Sequence, residues 1–391
     1  MGSTESKRHF HARHYAARYI TGPIRSLDPT RRHIPVDGHD EVSPGRTPLH
    51  PSLPTHPWAV HVWRTRDNRK GRHAVAVDPD FYQHEQTVSS EPTNTWRQAL
   101  LGMWKMLVTY PVWDVSYDVA VVFTIGSLIW VINGFFVMLP VVSPSSAFPG
   151  ESTWGGGFSA LIGATVFEIG SVLHHHAQKG YLVSPKPPAP SAHVAGGEHQ
   201  RRDDASQQEQ GPADWESRTW SWWPTWYELR THYIREIGFL ACSSQMAGAT
   251  IFWIAGLTAL PDIDKHFSRT AENSAYWLPQ VIGGTGFIVS SLLFMIEVQP
   301  RWYIAAPDVL GWHVGFWNLI GAVGFTLCGA LGMGGTREAI QYALTLSTFI
   351  GSWAFLIGSG IQWFESLDKY PLWIGDEGRQ LGDLSKEPTA A

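Results

Sequence analysis

Six long apolar runs dominate the chain from residue 119 onward, at 119–141, 156–176, 237–260, 278–297, 308–333 and 340–363. Each approaches or exceeds the ~20 residues needed to cross a hydrocarbon core. The pattern predicts an all-α membrane protein with six transmembrane helices. Ahead of the first run, residues 95–115 form a separate segment that places Trp96, Leu100, Trp104, Leu107 and Val108 on one face. That spacing fits a helix lying in the membrane interface, or one packed on its own protein. Residues 1–94 show no sustained period and are rich in Pro, His and Arg, so disorder is expected there. No apolar run follows the basic start, and no signal peptide is expected. A second low-complexity stretch, 184–214, reads as a disordered linker. Trp215, Trp220, Trp222, Trp223 and Trp226 then crowd residues 215–236, as an interfacial anchor or a protein-binding surface. Residues 372–391 read as a polar tail.

Within the runs a frame repeats. Gly126–Trp130–Gly134, Gly248–Phe252–Gly256 and Gly321–Phe325–Gly329 place an aromatic midway between two glycines in the odd runs. In the even runs the second interval shortens, giving Gly163–Phe167–Gly170, Gly351–Phe355–Gly358 and Gly283–Phe287–Ser290. Three copies of a glycine-rich two-helix hairpin account for this parity, over 116–183, 237–303 and 304–371. Small residues near four apart let helix backbones approach closely, which in lipid must substitute for a hydrophobic drive between helices. Fourteen residues past the anchor glycine stand Glu297 and Glu365, each followed four residues later by a base, Arg301 or Lys369. Those spacings predict i,i+4 ion pairs at interfacial helix ends. In the second run Ala177 occupies the acidic slot.

Composition changes this picture little. A charged fraction of 16% and a net charge of -5 average over two unlike parts of the chain. The twenty Trp matter more, because amphipathic rings accumulate where membrane meets water. The only cysteines, Cys242 and Cys328, both lie in apolar runs, which argues against a disulfide framework. Bases near the ends of the runs are unevenly shared. One face holds Arg97, Lys105, Lys179, Arg230, Arg235, Arg301 and Lys369, and the other Lys265, Arg269 and Arg337. The positive-inside rule therefore expects both termini and the linker in the cytosol.

Polar groups inside the runs are the candidates for chemistry, since each is costly in lipid. They are Glu168, Asn133, Gln245, His313 and Asn318. Glu168 stands where sister runs carry Ile288 and Leu356, so it reads as a proton- or cation-coupling carboxylate or as a neutral acid bonded to a neighbouring helix. Gln245 and Asn318 share one slot, three residues before their anchor glycines, which favours a bond between helices. His174, His175 and His176 invite a metal reading with His313. Consecutive histidines diverge around a helix, and at a helix end they also suit its negative dipole. Gly2 in "MGSTES" matches a myristoylation motif.

Runs with "GSWAFLIGS"-type cores, at 351–359, resemble YrhK-like two-helix membrane domains. Stretches such as "FWNLIGAVGFTLCGALG" are similar to uncharacterised fungal multi-pass membrane proteins. The resemblance covers about 115–371 and implies packing rather than catalytic residues. Phosphate loops, nucleophile elbows, H-E-x-x-H helices and nucleic-acid modules are missing. No cofactor, catalytic residue or nucleic-acid partner is therefore expected; the expected partners are the lipid bilayer and cytosolic proteins met through the tails. Two functional readings stand level, a small channel or carrier with an intramembrane carboxylate and a non-catalytic membrane scaffold. A metal- or haem-dependent oxidoreductase is a remote third.

Overall fold

The computed structural model describes residues 20–35, 59–72, 74–77, 96–178, 226–231, 233–264 and 266–374. Gly2, the linker 184–214 and Trp215, Trp220, Trp222 and Trp223 lie outside the described residues.

Among the described residues six helices are long and apolar enough to cross a membrane, which makes a multi-pass membrane protein the coarse reading of the fold. The helical cores are α3 (Val115–Val142), α4 (Gly157–Gln178), α5 (Ile237–Thr258), α6 (Leu278–Val298), α7 (Leu310–Gly332) and α8 (Glu338–Leu367). Several run past the expected ends for local reasons. The first starts early because the Asp114 side chain caps it, accepting from the Ser116 amide at 3.0 Å. The second is preceded by a π-helical turn, Glu151–Gly156.

Each helix packs on its two neighbours in sequence, and the sixth closes on the first. The result is a ring of six helices in chain order. Glycines set the close approaches. A Cβ built on Gly126 would lie 2.6 Å from the Phe167 ring, and one on Gly163 would lie 2.9 Å from Trp130. The same exchange recurs between Gly321 and Phe355, Gly351 and Phe325, and Gly283 and Phe252. Gly248 instead meets backbone, the Gly283 carbonyl oxygen and Gly286. Gly134 faces Phe349, Gly170 faces Phe123, Gly256 faces Ala164, Gly329 faces Val281 and Gly358 faces Asn318. Within the three hairpins, then, the aromatic of one helix fills the groove left by its partner's glycine in five of six cases.

The six frame aromatics meet on the ring axis. Trp130, Phe252 and Phe325 form one triangle, with ring centroids 5.6, 5.6 and 4.8 Å apart. Phe167, Phe287 and Phe355 form a second, at 6.3, 6.1 and 5.5 Å. Phe252–Phe287 and Phe325–Phe355 join the two layers. All six are buried in one cluster. Odd helices supply one layer and even helices the other.

The expectation of disorder over 1–94 needs correcting at 20–35, 59–72 and 74–77, the parts of it that lie among the described residues. Strands β1 (Ile20–Thr21), β2 (Arg31–Pro35), β3 (Ala59–Arg64) and β4 (Ala74–Val77) pair antiparallel in that order. A fifth, β5 (Leu372–Ile374), pairs parallel with β4, so the expected tail from 372 begins as a strand. The alternation in "AVHVW" and "AVAV" is too short to stand alone, and strands this short gain stability only when several pair. Between β3 and β4 the chain forms one helical turn, α1 (Thr65–Arg69), and reverses at Gly71, whose φ of 62° is left-handed. The interfacial segment is a helix, α2 (Trp96–Val108). Trp96 and Trp104 are more than half open, while Gly102 on the same helix packs against the Phe364 ring of α8.

Candidate functional site

The hairpin tip between β3 and β4 enters one mouth of the helix ring. Arg66 donates from both terminal nitrogens to the two carboxylate oxygens of Glu365, the second at 2.7 Å. Lys70 reaches the same carboxylate at 2.8 Å and Arg72 at 2.9 Å. Arg69 and the Thr65 hydroxyl donate to Glu297 Oε1 at 2.6 and 2.8 Å. Two buried acids on spanning helices thus hold a basic tip. Breaking such a pair by removing one partner costs about 3–5 kcal/mol, because a charge is left buried alone.

This corrects the expected ion pairs. Glu297 and Glu365 do not pair with the bases four residues on. Lys369 instead binds Asp114 and donates to the Lys70 carbonyl and the Ser116 hydroxyl, both at 2.8 Å. Arg301 donates to the Tyr303 hydroxyl. The physical reason is burial: both carboxylates are almost wholly covered and need donors that water cannot supply. Burial opposes the charge on Arg66, yet Glu365 and Asp67 hold its pKa above the ordinary value. Burial, with Arg66 close by, pulls Lys70 down to about 8.

The frame also explains where the tip rests. Ten residues before the odd anchor glycines stand Ser116, Gly238 and Gly311. A Cβ on Gly238 would strike the Arg69 guanidinium at 2.4 Å, and one on Gly311 would strike Arg66 at 2.6 Å. Ser116 takes Lys369. Each odd helix therefore begins with a small residue under a base.

Beneath the tip is a cavity of ≈ 70 Å³. Arg66, Arg69 and Lys70 line its outer end, and Phe167, Phe287 and Phe355 line its floor. Its walls use two slots of the frame. Phe123, Gln245 and Asn318 stand three residues before the odd anchors, and His174, Phe294 and Gln362 eleven after the even ones. A second cavity, of ≈ 330 Å³, lies beyond the other triangle, bordered by Trp130, Phe252 and Phe325. The two aromatic layers are the partition between them.

The intramembrane polar residues distribute unequally over this geometry. Gln245 and Asn318 line the tip-side cavity. Gln245 Oε1 lies 3.0 Å from His174 Nδ1, a bond between helices. Asn133 borders the other cavity and donates to the Gly156 carbonyl at 2.7 Å and the Ser159 hydroxyl at 3.0 Å. Glu168 lines neither; it accepts from the Thr250 hydroxyl of the next helix at 2.8 Å. His313 contacts the Pro307 carbonyl oxygen at 2.7 Å. His174 stacks on Phe294 and His175 leans on Phe239. Among the described residues no group of three His, Cys, Asp or Glu is placed to hold a metal ion. Sequence reasoning missed the basic tip, placed Ser290 only as a packing residue of the frame, and missed Gln362. The frame could have pointed Ser290 and Gln362 to the cavity, since their slots face the same axis as Gln245.

No protein-family model, no curated protein and no solved structure matches this chain.

Proposed function

We propose that the chain is a small membrane channel or carrier whose pathway follows the axis of the helix ring. The observation that carries this reading is the double aromatic septum between two cavities, one on the tip side and one on the other side of it. A scaffold needs only a packed core. One ring from each helix, in two layers on one axis, is the arrangement of a barrier that side-chain movement could open. The three hairpins act as an internal repeat that places equivalent groups around that axis, as transporter repeats do. Glu168, away from the axis, holds α4 to α5 and takes no part in coupling. The tip-bearing mouth faces the cytosol, on the strength of the seven-to-three excess of bases near the span ends on that side.

The test is ion flux through vesicles carrying the full chain. Phe325→Ala with Phe355→Ala removes one ring from each layer, and Glu297→Gln with Glu365→Gln releases the tip. Flux should rise at least tenfold from wild type to the Phe pair in the tip-released background. Flux no higher than in empty vesicles for every folded variant would sink the pathway.

A further inference from the structure

We propose that the cavity under the basic tip binds a small monovalent anion, of halide or formate size; this rests on the pathway reading for its transport meaning but not for its binding. The first observation is charge. Arg66, Arg69 and Lys70 line one end, and the acids that neutralise them, Glu297 and Glu365, are not among the cavity's walls. The one acid in the wall, Asp114, is taken up by Lys369 and Ser116.

The second observation concerns donors without partners. Arg69 Nε–H is buried with no acceptor among the described residues. Ser290 and Gln362 line the cavity at 2% and 5% exposure and make no hydrogen bond to another described residue; Asn318 likewise makes none. A buried hydroxyl or amide left unpaired costs about 1–3 kcal/mol. Water or a ligand must meet these groups, and the surrounding charge selects an anion. A cavity of ≈ 70 Å³ has room for a small ion together with water. Burial first, and then the Arg66 charge, depress the pKa of Lys70 at the same end of the cavity.

Thermal unfolding of the purified full chain, titrated with sodium bromide or sodium formate against sodium gluconate at equal ionic strength, tests binding. A saturable rise in Tm is expected. Gln362→Met and Arg69→Gln should each weaken the apparent affinity at least tenfold. Arg69 also anchors the tip, so Gln362→Met, which touches no ion pair, is the deciding variant. Titrations identical in wild type and Gln362→Met, or no anion dependence at all, would overturn the site. Reversal potentials of the Phe325→Ala, Phe355→Ala channel separate the two proposals. Chloride selectivity supports both. Cation selectivity removes the anion site from the pathway and leaves the pathway standing. Binding without current keeps the site and removes the pathway.

Discussion

A glycine at a helix seam fixes how near two backbones can come, and here the margin is small. The Cβ position of Gly351 lies 3.0 Å from the Gly321 carbonyl oxygen and 3.0 Å from the Phe325 ring. Gly351→Leu should therefore destabilise the protein by about 1–3 kcal/mol or more through overpacking. Gly360, with nothing within 4 Å of its Cβ position, is the control, and Gly360→Ala should leave the detergent Tm nearly unchanged. Equal shifts for both would mean the glycines do not set the seams. Glu168→Gln should keep folding and flux, since an amide oxygen still accepts from Thr250. A folded but silent Glu168→Gln protein would return that carboxylate to the pathway. The glycine–aromatic frame was legible because packing repeats with the helix. The true partners of Glu365 were not, because Arg66 is 299 residues away and nothing local to either residue announces the other.

Among the elements, the six spans were readable from length and apolarity alone, whereas the sheet was not. Its strands are short, and β4 needs a partner from the far end of the chain. Docking of the tip depends on the carboxylates beneath it. Glu365→Gln leaves Arg66, Lys70 and Arg72 crowded around a neutral amide. It should cost about 3–5 kcal/mol, seen as lost hydrogen-exchange protection across 59–77. Protection equal to wild type would show that the ion pairs do not hold the tip. Lys70 adds a pH dependence of definite sign. Its folded pKa of about 8 lies below the ordinary 10.5, so the folded state disfavours its proton. Its contribution is unfavourable below pH 8 and is relieved as pH rises toward 10.5. Lys70→Met should flatten that rise in thermal stability, and an unchanged profile would assign the rise elsewhere.

For the whole molecule, an even number of spans puts the tip, β5 and α2, with its exposed Trp96 and Trp104, at one mouth. Protease protection of tags on both termini in sealed vesicles should show them on the same, cytosolic side. Tags reached only from the lumenal or outer side would reverse the orientation. The axial cavity was only half legible. Gln245 and Asn318 stood out as polar residues in apolar runs, but the sequence ties them to helix bonding. That they share a chamber with Ser290 and Gln362 follows only once the ring is closed.

The distance between Arg66 and Glu365 also has a consequence in time. A ribosome makes the tip early and its anchors late, so the nascent chain carries five bases at 64–72 with only Asp67, which takes Arg64 and Arg72, to offset them. Glu297 arrives first, four spans in, and can hold only Arg69 and Thr65. Arg66, Lys70 and Arg72 must wait for the sixth span, and β4 for the strand just beyond it. Until then the mouth under the tip stands open. Shutting it is reserved for molecules whose last helix is already in the membrane.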